Sequence, residues 1–242
     1  MARYQIIIAY DGTDFSGSQI QVKSRTVQNE IEKALRNLDW KGKSILLAGR
    51  TDAGVHASGQ VAAFDLDWRH TLIELQNALN ASLPLDISVK KVSTVDDEFH
   101  PRFDASWRCY HYRLFTRPVR DPLRERFAWR VWPELKDLQS ISSVWLGTHD
   151  FISFGSPPRT GGNTVRSVLE AKWEQNQDEW HFEIKANAFL YHMVRKIVFS
   201  QVAVGKGKIS RVDLKNALEG KGELPSGIAP PNGLNLIEVG YY

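Results

Sequence analysis

The sequence predicts an α+β protein in which two ferredoxin-like β-α-β-β-α-β halves form a mostly antiparallel sheet with a central cleft. Three observations carry this. Strand and helix periodicities follow one another in the same order twice along the chain. The 242 residues suffice for two small cores, because one core ordinarily serves about 100 to 200 residues. The composition, 42% apolar and 24% charged, is that of an ordinary soluble globular chain and not of a disordered or membrane chain.

Residues 4–10 alternate as a strand, and Val27, Ile31, Ala34, Leu35 and Leu38 then share one helical face behind a Thr26 cap. Residues 45–48 and 60–66 read as two strands joined by a glycine-containing loop. A helix carrying Leu72, Leu75, Ala78 and Leu79 and a strand at 87–95 complete the first half, residues 1–104. The second half, residues 105–242, repeats the order. It has a strand at 107–115, a helix through Leu135, Leu138, Ile141 and Trp145, and strands at 165–173 and 179–186. A helix at 188–204 and a shorter one, capped by Ser210 with Asp213 three residues on, precede a last strand at 236–241. No residue-level repeat accompanies the repeated order. In a ferredoxin-like half both helices cover one face of the sheet and leave the other open, and junctions between halves favour ligand sites. The connections 116–133 and 146–163 are the longest, and loops of such length are usually functional or mobile.

The apolar run 6–10 is too short for a signal-peptide core or a membrane span, so a cytoplasmic protein with no membrane attachment is expected. The single cysteine, Cys109, can make neither an internal disulfide nor a CxxC metal site. The seven histidines show no HExxH spacing, so no metal is expected. The net charge of +3 does not prove a polyanionic partner. Charge is concentrated instead at residues 100–130, where eight arginines and no lysine face Asp104, Asp121 and Glu125. Arginine pairs with phosphate and stacks on bases. Interleaved with Trp107, Tyr110, Tyr112 and Trp129, the segment suits RNA, the plainer reading being a solvated face.

The densest chemical candidate is the loop 48–56, Ala-Gly-Arg-Thr-Asp-Ala-Gly-Val-His, between two strands. Gly49 and Gly54 permit backbone angles closed to other residues, so a tight loop could present Arg50 and Asp52 to a cleft. The plainer reading is a turn with a surface Arg–Asp pair.

AGRTDAGVHA at 48–57 and GQVAAF at 59–64 resemble the signature of the tRNA pseudouridine synthase A (TruA) family. The resemblance continues through YDGTDFSGSQIQ at 10–21, FHPRFDA at 99–105, RCYHY at 108–112, GTHDFISF at 147–154, KANAFLYHMVRKIV at 185–198 and APPNGLNL at 229–236. It implies the pseudouridine synthase fold and an isomerase that converts uridine to pseudouridine at positions 38, 39 and 40 of tRNA, in the anticodon arm. It further implies a homodimer that flips its target base out of the stack and uses neither cofactor nor metal. The resemblance makes Asp52 the catalytic residue and Arg195 the partner favouring its charged form. It has Arg50 assist flipping or fill the vacated space, and Tyr110 stack on the extruded base. Tyr112 reads as core. One position departs from the family: Gly17-Ser18-Gln19 stands where Gly-Trp-Gln is usual, so a contact made elsewhere by that indole is missing here.

Three other functions fit the sequence less well. A noncatalytic RNA-binding module would carry aromatic RNP motifs on its open sheet face, and none is legible. A metal-dependent hydrolase lacks its ligand spacing. A glycoside hydrolase needs a pair of carboxylates, where the loop supplies only Asp52.

Overall fold

The structure, a computed structural model, describes residues 1–133, 135–157 and 161–241. Part of the long connection 146–163 thus lies outside the described residues. The chain divides into two compact units, Met1–Ser106 with Asn235–Tyr242, and Trp107–Leu234.

In the first unit the strands are β1 (Ala2–Tyr10), β2 (Leu46–Leu47), β3 (His56–Leu66) and β4 (Ile87–Thr94). They stand in the order β4-β1-β3 with β2 on β3, all antiparallel, which is the ferredoxin-like arrangement. Alternation along β1 buries Tyr4, Ile6, Ile8 and Tyr10. Helix α1 (Val27–Arg36) buries Val27, Ile31, Ala34 and Leu35. Thr26 caps it by accepting from the Asn29 amide, as its position before the apolar stripe predicts. Helix α2 (Leu72–Ser82) buries Leu75 and Leu79 and begins at a Thr71/Glu74 capping box.

In the second unit β5 (Ala105–Thr116), β6 (Trp129–Val131), β7 (Gly147–Asp150), β8 (Val165–Asn176) and β9 (Glu179–Ala186) form an antiparallel sheet of order β5-β9-β8-β7. β6 lies parallel on β5. Helices α3 (Leu138–Ile141), α4 (Met193–Gly205) and α5 (Arg211–Leu218) complete it. One sheet face is apolar: Tyr110, Tyr112 and Leu114 of β5 stand opposite Ile184, Phe182 and Trp180 of β9, and all six are buried. Trp173 Nε1 donates to Gln201 Oε1 of α4 at 2.9 Å, which ties that helix to β8. The last strand, β10 (Leu234–Tyr241), pairs in parallel with β3 through Asn235 and Leu236 and so counts with the first unit.

Several element boundaries differ from the sequence expectation, three of them with a visible cause or consequence. The helix expected through Leu135 to Trp145 is helical only from 138 and tightens to a 3₁₀ turn at Ser142–Trp145. Its apolar positions are all buried regardless, so the period is right and the hydrogen bonding is not. Helix α4 starts at Met193 and not at 188, because Tyr191 pairs with Ser156 as an isolated bridge and His192 takes a left-handed φ of 65°. β3 begins four residues earlier than its apolar pattern, where β10 pairs with it.

The arginine-rich segment is laced with ion pairs. Five of its arginines, 113, 117, 120, 124 and 130, are ion-paired to Glu125, Asp178 and Glu179. Arg117 and Arg124 tie the 117–130 connection to the β8–β9 turn, Arg113 ties β5 to it, and Arg120 and Arg130 brace the connection internally through Glu125. Arg113, Arg117 and Arg120 keep 42%, 54% and 73% of their side chains exposed within these pairs. Arg124 first, then Arg117, against a burial effect of opposite sign, hold the Asp178 carboxyl down at about 2. A carboxyl held below its unfolded value stabilises the fold above about pH 4, and this contribution is lost as the pH falls through about 2. Asp178→Asn will therefore cost about 1 kcal/mol at neutral pH, a value reduced for solvent screening. Urea unfolding should show the gap to the wild type closing as the pH is lowered through that range.

Among the described residues no helix is long and apolar enough to cross a membrane.

Candidate functional site

The loop from β2 to β3 is built around Asp52. The Val55 amide donates to the Asp52 carbonyl at 3.2 Å, closing a four-residue turn. Gly54 takes φ +78°, the left-handed value that the third position of a type II turn requires. Gly49, expected to serve the same purpose, does not: its φ is not in the left-handed range, and a Cβ built on it meets nothing within 4 Å. Its carbonyl instead accepts from Gln60 Nε2 at 3.0 Å.

The residue before Asp52 is held on every side. The Thr51 amide donates to Ser18 Oγ at 2.8 Å, and its carbonyl accepts from the Ser18 amide at 3.1 Å. Its hydroxyl bonds the buried Tyr10 hydroxyl at 2.8 Å. Burial pushes the Tyr10 phenol up to about 12, against the smaller opposing pull of Thr51 and Gln60, so it stays protonated at neutral pH. On the far side of the turn the Gly54 amide donates to the Phe15 carbonyl at 3.3 Å. The Gly12 amide nitrogen lies 3.0 Å from His56 Nδ1, and the same ring nitrogen lies 3.2 Å from Asp11 Oδ1.

Two glycines make this closeness possible. A Cβ on Gly12 would stand 2.0 Å from the Val55 carbonyl oxygen. One on Gly17, which sits at φ +94°, would stand 2.8 Å from that of Thr51. The segment 10–18 is thus a bed on which the loop 51–56 lies, with Thr51 buried, Asp52 half-buried and Arg50 exposed. A half-buried carboxylate on an anchored turn can act as a nucleophile or base without first ordering its backbone.

The other two predicted residues belong to the second unit. Tyr110 is 9% exposed on β5, with its ring edge-to-face on Phe189 at 5.1 Å. Arg195 lies half-buried in the first turn of α4, where its Nε donates to the Ala229 carbonyl at 2.8 Å and its own carbonyl accepts from the Ala229 amide. Tyr112, read as core, is fully buried and donates to the Pro230 carbonyl at 2.8 Å. Asp52 and Arg50 therefore share one loop of the first unit, and Tyr110 and Arg195 belong to the second unit.

The family model described as tRNA pseudouridine synthase matches residues 6–104 and 142–242. The chain belongs to this family. Curated relatives match along nearly their whole length. A tRNA pseudouridine synthase A 1 of Desulfotalea psychrophila is 43% identical, covering 98% of both chains. A tRNA pseudouridine synthase A of Geobacillus kaustophilus is 40% identical over 99% of this chain and 94% of its own. One of a Thermoanaerobacter species is 36% identical over the whole of both.

For a pseudouridine synthase, sequence reasoning isolated the loop but missed its support: Tyr10, Gly12, Gly17, Ser18 and Gln60. The two glycines just past the first strand were the available signal, since glycine in such a position marks close backbone approach.

Proposed function

We propose that this chain isomerises uridine to pseudouridine in the anticodon arm of tRNAs, at positions 38, 39 and 40, with Asp52 acting on the target nucleotide. The observation that carries the reading is the placement of Asp52, a half-buried carboxylate on a turn whose preceding residue is pinned by Ser18 and Tyr10. Isomerisation breaks the C1′–N1 bond, turns the uracil and joins C5 to C1′ with loss of the C5 proton, so it needs neither redox partner nor energy source. An ionised Asp52 serves it by attacking the nucleotide or by removing a sugar proton. Arg195 is the cation favouring that ionised form. Arg50 assists the extrusion that a stacked base requires, and Tyr110 stacks on the extruded base.

The competing reading, a noncatalytic RNA-binding module, would use open aromatic rings on a sheet face. Among the described residues the polar face of the second unit's sheet offers none. Its rings Trp107 and Phe115 lie under Lys185 at 4.0 Å and Arg124 at 4.2 Å. Carboxylates populate the rest: Glu183 with His111 and Lys172, Glu179 with Arg113 and His181, and Glu170 with Lys185.

The test is release of tritium from tRNA transcripts carrying it at C5 of uridine, without added metal or cofactor. Transcripts with uridine at 38 to 40 should release it, and transcripts with cytidine at those positions should not. Tight binding without release would favour the binding module. Backbone recognition also predicts that raising monovalent salt from roughly 50 to 200 mM weakens tRNA binding by at least about tenfold. Filter binding across that range measures it. Assembly as a homodimer is part of the same reading, and a monomer in sedimentation with and without tRNA would remove it.

A further inference from the structure

We propose that Ser18 is a positioning residue for Asp52, holding the start of its turn by accepting the Thr51 amide hydrogen. The inference rests on the reading of Asp52 given above. Ser18 is 0% exposed, and a serine so placed buries too little apolar surface to be there for packing. Its polar groups are used: Oγ accepts from the Thr51 amide at 2.8 Å, and the Ser18 amide donates to the Thr51 carbonyl at 3.1 Å. One residue therefore satisfies both backbone groups of the residue preceding Asp52.

Ser18 is itself anchored to the first turn of α1. Its carbonyl accepts from the Gln28 amide at 2.9 Å, and Gln28 Oε1 accepts from the Ile20 amide at 3.1 Å. The Gln28 side chain in turn donates to Glu32 at 2.9 Å and Ser44 at 2.7 Å, and Gln28 and Glu32 are both buried. A hydrogen-bonded path thus runs from α1 through Ser18 to Thr51, and the next residue is Asp52. Gly17 is what lets the path close, because any Cβ there would meet the Thr51 carbonyl. The family's usual tryptophan could not replace the acceptor, since an indole N–H only donates. In this chain the acceptor is the serine hydroxyl.

A displacement of about 1 Å at a catalytic group can cost about 100-fold in rate, which sets the scale of the test. Ser18→Ala is compared with the wild type and with Asp52→Asn for single-turnover isomerisation, tRNA affinity and amide exchange. The expected result is a single-turnover rate lower by about 10- to 100-fold with tRNA affinity within about twofold. Exchange at the Thr51 amide should rise while that of Ile6 and Ile8 in β1 is unchanged. A rate within about twofold of wild type overturns the proposal, and so does faster exchange throughout β1, which would mark a general loss of stability. Should Ser18→Ala not fold, the wild type decides alone: a Thr51 amide exchanging as fast as an unstructured one overturns the proposal, and strong protection supports it. An active Asp52→Asn would defeat the reading of Asp52 itself, whereas an inactive Asp52→Asn beside a fully active Ser18→Ala would defeat only the role of Ser18.

Discussion

Asp52→Asn will abolish isomerisation, lowering C5 tritium release by at least about 10⁴-fold, the scale seen when a group that acts in concert with others in a site is removed. The amide keeps the size and shape of the carboxylate but neither attacks a sugar or base nor takes up a proton at neutral pH. The turn will survive, because it is closed through the Asp52 backbone carbonyl and the Val55 amide, not through the side chain. Affinity for tRNA should therefore stay within about threefold, as expected when an interaction is used only in the transition state. Single-turnover rates and filter binding on one preparation separate the two quantities. An Asn variant turning over at more than about a tenth of the wild-type rate would remove Asp52 from the chemistry.

Gly12→Ala will unseat the same turn from below. The new Cβ would lie 2.0 Å from the Val55 carbonyl oxygen and 2.4 Å from its carbon, and these are backbone atoms that no rotamer change can move aside. Either the 11–14 segment or the 52–55 turn must shift. Overpacking of this kind typically costs about 1 to 3 kcal/mol, and the displaced carboxylate should lose about 100-fold in rate. Gly49→Ala is the matching control for stability. The same chemical change three residues before Asp52 meets nothing within 4 Å and demands no left-handed backbone, so it should be neutral or stabilising by about 0.5 kcal/mol. Urea unfolding of the two variants side by side tests the contrast. Equal effects would mean that the approach of residue 12 to Val55 is not what fixes the turn.

The amino-acid sequence by itself determined the α+β class, the caps at Thr26 and Ser210, the apolar face of α1, the burial of Leu75 and Leu79 but not of Leu72 on α2, and a tight glycine-bearing loop around Asp52. Each of these depends on residues within about one helical turn or one hairpin loop of one another, where side-chain period and permitted φ are local properties. Only the tertiary structure decided what that loop rests on. Thr51 meets Ser18 across 33 residues and Gly12 meets His56 across 44, and no local pattern marks a buried serine as an acceptor for a distant amide. The same distance in sequence hid the ion pairs that tie the arginines of the 117–130 connection to Asp178. It also hid the start of β3 at His56, which needs Asn235 beside it, and the late start of α4, where Tyr191 is held by Ser156. In each case a backbone or charged group found its partner through the fold, because a buried polar group must be satisfied by whatever the packed chain brings within hydrogen-bonding reach.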